Sequence, residues 1–251
     1  MSLLRTASRP DEPRTPTNYP PYRGELFRQA LTFLVTRIGT GLFVRVRLEG
    51  RENLPPAPYV ACFNHLSWAD PFVLHAALPV RPRVWLFGPK EDDMMVGPRN
   101  RLMRWSATPV PYRTDKRDLI DAVRRVKMVM DGGGVLLVAG EGRIHVGERV
   151  VPPLNEGAAF FALRNGVPLV PIAINGTGWL GFGRKVRVKV GLPIDTRGYD
   201  RRKGVGELTE LVRERLQALV ADFPDRRPPG RFGRWFTEVF NEWPEGSRPP
   251  D

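Results

Sequence analysis

Residues 58–70 read P-Y-V-A-C-F-N-H-L-S-W-A-D, and the interpretation of the whole chain depends on this stretch. Its first half is a short apolar run that predicts a buried strand, and its second half carries a histidine and an aspartate. In open α/β sheets, ligands bind beyond the carboxyl ends of the strands. The pattern therefore places His65 and Asp70 where a functional site is expected.

The two side chains have the chemistry of a catalytic dyad. A histidine ordinarily titrates near neutral pH, so an unprotonated imidazole is available to accept a proton from a nucleophile. A carboxylate at Asp70 would hold the His65 ring, fix its tautomer and stabilise the imidazolium that forms. The chain has no G-x-S-x-G element, and its one cysteine, Cys62, lies within the predicted strand. We therefore expect the nucleophile to be a hydroxyl of the substrate.

The spacing of the pair indicates a turn. Residues five apart on a regular helix differ by about 140° around its axis, so His65 and Asp70 could not share one helical face. Pro71 favours an extended conformation at Asp70 and suits the first position of a helix, which we predict over residues 71–78. A simpler interpretation of the same residues is that Asp70 only caps this helix.

Composition restricts the partners. The chain of 251 residues has 39 Lys and Arg against 27 Asp and Glu, a formal net charge of +12. This excess predicts a polyanionic partner, either nucleic acid or an anionic membrane surface. Zinc-ligand spacing, an RNA-binding aromatic signature and a Lys-rich arm are all missing from the sequence, which favours the membrane.

Other global features indicate the compartment. A single cysteine excludes an intramolecular disulfide and fits a reducing environment. The sequence has no apolar run of about 18 residues and no secretory signal pattern at Met1. We therefore expect a cytoplasmic, peripheral membrane protein that lies on the inner leaflet.

The hydrophobic periodicity predicts an α/β fold, a single domain with a central mixed, mostly parallel sheet flanked by helices, plus N- and C-terminal amphipathic helices. The predicted division is a disordered or strap-like segment over 1–22, an amphipathic helix over 23–43, the main domain over 44–222, and a tail with an aromatic helix over 223–251. Both terminal helices combine apolar stripes with arginines, which fits either a membrane interface or docking on the core.

Three further features carry predictions. Alternating valines and basic residues over 185–190 predict an edge-like strand with one charged face. His75 is predicted to be a packed or surface histidine, because no partner lies at a suitable spacing. His145 is predicted to lie on the surface of a loop.

The N-H-x4-D pattern after an apolar strand resembles the first motif of the glycerolipid acyltransferase family, which includes the bacterial 1-acyl-glycerol-3-phosphate acyltransferases. The resemblance implies that His65 is the general base and Asp70 its partner. It also implies acyl transfer from an acyl thioester to a lipid hydroxyl.

Two later segments resemble the second and third motifs of that family. Residues 107–113, A-T-P-V-P-Y-R, end in Arg113, which the resemblance assigns to the phosphate of the acceptor. The segment A-G-E-G-R resembles the third motif, F-P-E-G-T-R, and implies that Glu141, Gly142 and Arg143 help to form the acceptor site. Here Ala and Gly replace the Phe and Pro of the motif and the Thr is missing, so the identity of the acceptor is in doubt.

The triplet V-P-I over 170–172 resembles the fourth motif. A proline inside a strand suggests a bulge or a ladder position that needs no donor, so Pro171 is expected to shape the acyl or acceptor pocket without doing chemistry.

The resemblance implies an acyltransferase that moves a fatty acyl group to the hydroxyl of a lysoglycerophospholipid acceptor such as 1-acyl-glycerol 3-phosphate. The expected partners are an acyl-CoA or acyl-carrier protein donor, a lysophospholipid or glycerol-phosphate acceptor, and an anionic membrane surface. No metal or bound cofactor is expected. The alternative is a non-catalytic membrane-binding module on the same fold; nucleic-acid binding through the net charge is a third, less favoured possibility.

Overall fold

The computed structural model describes residues 25–89, 106, 108–112, 116–145, 147–224 and 228–240. The predicted segment 1–22, the end of the tail after residue 240 and Arg113 lie outside these ranges. The predicted division of the chain into segments therefore stays a prediction.

Helices and strands alternate along most of the chain. The described helices are α1 (Glu25–Phe43), α2 (Asp70–Ala77), α3 (Lys116–Asp131), α4 (Gly157–Asn165), α5 (Val205–Val220) and α6 (Arg231–Phe240). The strands are β1 (Val44–Glu49), β2 (Tyr59–Phe63), β3 (Val84–Pro89), β4 (Pro109–Tyr112), β5 (Val135–Ala139), β6 (Leu169–Asn175) and β7 (Arg184–Val190).

These strands form one seven-stranded sheet with the order β1-β7-β6-β2-β5-β3-β4. Every neighbouring pair is parallel except β6 and β7. The predicted α/β fold, with a mixed but mostly parallel sheet between helices, is confirmed. Because β2, β5, β3 and β4 are parallel neighbours, the segments that follow them start at the same edge of the sheet.

Side chains of the central strands alternate between two cores. In β2, Val60 and Cys62 face the core under α3, α4 and α5, whereas Ala61 and Phe63 face the core under α1 and α2. All five residues of β2 are buried, so the strand is covered on both faces. This double burial explains why the sequence of β2 is a continuous apolar run.

The prediction that β7 is an edge-like strand is wrong. β7 pairs in parallel with β1 on one side and antiparallel with β6 on the other, so β1 and β4 form the edges. The charged face of β7 is neutralised by neighbours: Arg187 donates to both carboxylate oxygens of Glu49 in β1, and Lys189 pairs with Asp222 after α5. The alternating pattern shows one solvated face but not which strands lie beside it.

Most of the apolar side chains of α1 are exposed. Phe33 and Gln29 are buried, whereas the residues of the predicted stripe Leu26, Phe27, Leu34, Val35, Ile38 and Leu42 are each more than half exposed. Within the described ranges, each helix is too short or too polar to cross a bilayer.

Candidate active site

The His65 turn connects β2 to α2. β2 ends at Phe63, and α2 begins at Asp70 with Pro71 in its first turn. The Nδ1 atom of His65 lies 2.9 Å from Oδ2 of Asp70, so the structure brings together the two side chains that the sequence placed in a dyad. The Asp70 side chain is fully buried, whereas the His65 side chain is 19% exposed.

The carboxylate of Asp70 also holds the turn itself. Its Oδ2 accepts the backbone N–H groups of Leu66 at 2.7 Å and Ser67 at 2.8 Å. The N-cap residue of α2 is Ala69, which makes no side-chain capping bond, so Asp70 is not the N-cap of the simpler interpretation. The same Oδ2 faces Nδ1 of His65, so it accepts a third hydrogen bond when Nδ1 carries the proton.

This bond fixes the chemistry of the His65 ring. When Nδ1 carries the proton, Nε2 presents a lone pair, and it makes no hydrogen bond to any residue that the structure describes. The ring also contacts Phe63, with ring centroids 5.9 Å apart in an edge-to-face arrangement. The arrangement is suited to accept a proton at Nε2.

Asn64 anchors the start of the turn, a role that the sequence analysis missed. Its side-chain amide donates to the carbonyl of Ile174 at 3.0 Å and accepts the N–H of Ile174 at 2.7 Å. The side chain thus continues the ladder between β2 and β6 by one residue. The sequence does place Asn64 at the end of a buried apolar strand. A buried amide needs partners for both its donor and its acceptor, so this position could have predicted an anchoring role.

The Glu141 turn lies beside the His65 turn because β5 is the parallel neighbour of β2. Oε2 of Glu141 accepts the backbone N–H of His65 at 3.0 Å. Burial raises the pKa of the Glu141 carboxyl, and the nearby histidines His145 and His65 act in the opposite direction. Glu141, predicted as an acceptor-site residue, therefore contacts the main chain of the predicted base.

Gly142 is required by the backbone. Its φ is +68°, in the left-handed region, and a Cβ built there would lie 2.3 Å from Nδ2 of Asn155. That Nδ2 donates to the carbonyl oxygen of Glu141 at 3.0 Å and closes the turn. Any side chain at residue 142 would displace this bond. Arg143 follows on the surface, exposed to solvent.

The remaining predicted site residues are Pro171 and Arg113. Pro171 is buried in β6 opposite Cys62, and it contacts the Cβ position of Gly191 from the face covered by α4 and α5. Arg113 lies outside the described residues, directly after β4. Arg125 of α3 supports that strand end, because it is buried and donates to the carbonyl of Pro111 at 2.6 Å.

The prediction that His145 is a surface residue is wrong. Its side chain is only 9% exposed and its ring lies against the main chain of His65. Loop position alone suggests exposure, and the contact exists only because β5 and β2 are neighbours. His75 was predicted to be either packed or on the surface, and the structure shows that it is packed. Its ring meets the ring of Phe33 edge-on, with centroids 5.5 Å apart. Burial lowers the pKa of His75 to about 4.

A cavity opens on the α1 and α2 side of the sheet, and neither His65 nor Asp70 is among its lining residues. Its volume is about 330 Å³, and its wall includes Trp68 and Ala69 from the His65 turn. Residues of α1, α2 and the sheet form most of the remaining wall of the cavity. Phe43 and Phe236 are also lining residues. Cys62 faces the opposite core and is fully buried, and burial raises the pKa of its thiol, so it is unsuited to act as a nucleophile.

Comparison with known proteins gives a consistent result. The 1-acyl-sn-glycerol-3-phosphate acyltransferase of Saccharomyces cerevisiae is 29% identical over 191 residues, covering 72% of this chain and 61% of that protein. The 1-acyl-sn-glycerol-3-phosphate acyltransferase LPAT1, chloroplastic, of Arabidopsis thaliana is 27% identical over 164 residues, covering 64% of this chain and 44% of that protein. The chain thus spans less than two thirds of the length of these relatives.

The fold also has a solved counterpart. The crystal structure of the 1-acyl-sn-glycerophosphate (LPA) acyltransferase PlsC from Thermotoga maritima superposes with a TM-score of 0.64 at 22% identity. The match covers 82% of this chain and 85% of that chain. At this identity, the likeness shows a shared fold.

The sequence model of one family, described as Acyltransferase, matches residues 45–175, more than half of the chain. The matched span runs from β1 to the end of β6 and contains both the His65 turn and the Glu141 turn. The resemblance read from the motifs is thereby confirmed, and this chain belongs to the acyltransferase family.

Proposed function

We propose that the chain transfers a fatty acyl group from an acyl thioester to the hydroxyl of a lysoglycerophospholipid acceptor such as 1-acyl-glycerol 3-phosphate. The observation that carries the proposal is the bond between His65 and Asp70 at the carboxyl end of β2, in a turn whose residues Trp68 and Ala69 line an apolar cavity. Membership of the acyltransferase family and the activity named for the yeast and plant relatives support it.

His65 is the general base in the proposed step. Nε2 takes the proton of the acceptor hydroxyl while the oxygen attacks the carbonyl carbon of the thioester, and Asp70 stabilises the imidazolium. The tetrahedral intermediate collapses, the C–S bond breaks, and the sulfur leaves with the proton held at Nε2. The products are an ester and a free thiol, so the atoms balance with no metal or cofactor in the step.

The apolar cavity is the proposed site of the acyl chain. A volume of about 330 Å³ lies within the range of small-molecule sites, roughly 300 to 1,000 Å³. Arg143, exposed beside the Glu141 turn, is proposed to bind the anionic headgroup together with Arg113, since guanidinium groups suit phosphate oxygens. Either acyl-CoA or acyl-carrier protein would supply the acyl group.

A peripheral position on an anionic leaflet is part of the proposal. Three rings connect α1 to α6: Phe43 stacks on Phe236 at 5.2 Å and contacts Phe182 at 5.0 Å. Phe232 and Trp235 of α6 are exposed, and they extend the exposed apolar face of α1. Together with the net charge of +12, this surface suits the headgroup region of the cytoplasmic leaflet.

The test uses the full chain with vesicles that contain lysophosphatidic acid, and palmitoyl-CoA as donor. We expect release of free CoA together with a diacyl product detected by mass spectrometry. His65→Ala should remove nearly all turnover, and Asp70→Asn should lower kcat by roughly 10³- to 10⁴-fold, because an amide cannot hold the same tautomer. Asp131→Ala is the matched control, since this exposed carboxylate only pairs with Lys127.

Two outcomes contradict the proposal. Undiminished turnover in a folded His65→Ala protein would exclude His65 as the base. Flotation with the vesicles, but no turnover on a panel of lysolipid acceptors and both kinds of donor, would favour the non-catalytic membrane-binding module instead.

A further inference from the structure

His145 has an unusual set of hydrogen-bond partners. Its Nδ1 lies 3.0 Å from the carbonyl oxygen of His65, and its Nε2 lies 3.0 Å from the carbonyl oxygen of Val150. Both ring nitrogens therefore face an atom that only accepts hydrogen bonds. The backbone N–H of His145 donates to the same oxygen of His65, also at 3.0 Å.

A neutral imidazole does not satisfy this arrangement. It carries one N–H and one lone pair, so either tautomer would direct a lone pair at a carbonyl oxygen 3.0 Å away. The imidazolium has two N–H donors and satisfies both carbonyls. Both contacts can be hydrogen bonds at the same time only when each ring nitrogen carries a proton.

Glu141 supplies the balancing charge. Its Oε1 lies 3.5 Å from Nδ1 of His145, and both side chains are almost completely buried. The other carboxylate of this loop, Glu148, is engaged elsewhere, because it accepts the N–H of Gly176 at 3.0 Å after β6. Among the residues that the structure describes, the titratable residues recorded in contact with the His145 ring are Glu141, through its carboxylate, and His65, through its carbonyl oxygen.

The two partners hold the main chain of His65 on both sides of its Cα. Glu141 accepts the N–H of His65 through Oε2, and His145 donates to the C=O of His65. Asp70 acts separately on the ring of His65. The main chain and the side chain of the base are therefore held by different residues.

We propose that His145, as an imidazolium paired with the Glu141 carboxylate, is a positioning residue that holds the main chain of His65 for the transfer reaction. The proposal rests on the proposed function for its catalytic consequence. His145 does not touch the reacting atoms; it fixes the direction in which Nε2 of His65 points. A displacement of about 1 Å at a reacting group is enough to lower a rate roughly 100-fold.

The first test is spectroscopic and needs no substrate. The chain has three histidines, so ¹⁵N-histidine labelling gives three imidazole signals, assigned with His75→Gln and His145→Gln. At about pH 7.5, where an ordinary histidine is mostly neutral, we expect His145 to show two protonated ring nitrogens and His75 to show the neutral pattern. A neutral His145, with the proton on Glu141 instead, would overturn the proposal.

The second test separates positioning from substrate binding. A glutamine has one amide donor group and no positive charge, so His145→Gln should lower kcat by roughly 10- to 100-fold and leave KM for both substrates within about twofold. The control is Arg149→Gln in the same loop, whose guanidinium donates to the carbonyl of Ala221. That change should leave kcat unaltered.

The outcomes distinguish the two proposals. Absence of acyl transfer in the wild-type protein would reject the proposed function while the ¹⁵N spectrum still reports the state of His145. If the wild-type protein transfers the acyl group and His145→Gln has the same kcat, the positioning role alone is rejected. The same holds if His145→Gln changes only KM.

Discussion

The two faces of the sheet are covered by helices in different ways. On one face, α3, α4 and α5 enclose a dense core in which Leu208, Val212, Leu216 and Val220 of α5 are all almost completely buried. On the other face, α1, α2 and α6 leave a cavity of about 330 Å³, and α1 turns most of its apolar side chains outward.

The difference assigns separate tasks to the two faces. The side chains of α5 that face the sheet are buried, so they contribute stability through burial. The face under α1 leaves apolar surface exposed, and a large patch of this kind is typical of a site that binds a ligand or another surface. The His65 turn lies at the strand ends between the two faces, on a firmly packed base and beside an open cavity.

Truncation of one leucine on each face should give the largest contrast in stability. Leu216→Ala in α5 removes a side chain with no exposed surface, and we expect a loss of about 2 to 5 kcal/mol. Leu34→Ala in α1 makes the same chemical change at a residue that is 53% exposed, and it should cost less than about 0.5 kcal/mol. Denaturant unfolding of both variants measures the difference. Equal losses would show that α1 is packed as firmly as α5.

The buried histidine of the cavity face should make stability depend on pH. Burial lowers the pKa of His75 from 6.5 to about 4, so the unfolded chain binds more protons between these values. The free energy of unfolding is unaffected above about pH 6.5 and falls as the pH drops towards 4, by up to about 3 kcal/mol. His75→Leu should remove this part of the acid sensitivity, measured as the difference between two unfolding curves across pH. Parallel curves for the two proteins would show that His75 is not desolvated.

Filling the cavity should have a smaller effect than the two changes above, and this effect should be on the preference for donors of different chain length. Gly39 of α1 lines the cavity, and a Cβ built there meets no atom within 4 Å. Gly39→Leu should stabilise the helix by roughly 0.5 to 1 kcal/mol and lower kcat/KM for long-chain donors, relative to short-chain donors, about tenfold.

Gly41→Leu is the matched control for this experiment. Gly41 lies on the same helix with equal free space at its Cβ position, but it is not among the cavity-lining residues. It should give the same gain in stability with no change in chain-length preference. Identical donor profiles for both variants would exclude the cavity as the acyl site.

The site was predictable where the signal was local. The partnership of His65 and Asp70 depends on a turn of six residues, and the strand before it and the helix after it are evident from the apolar run and Pro71. The roles of Asn64 and His145 were missed, because their partners Ile174 and His65 lie 110 and 80 residues away in sequence.

The sequence by itself determined the alternation of strands and helices, the excess of positive charge, and the family to which the four motifs point. These properties are set by residues close together in the chain or by composition. The order of strands was decided only by the tertiary structure, which placed β7 inside the sheet and brought β5 beside β2. The physical reason is that hydrogen bonds between strands join backbone groups, which are the same in every residue, so the pairing is selected by the packing of the whole core. The Glu141 and His145 contacts to the main chain of His65 exist only through that selection.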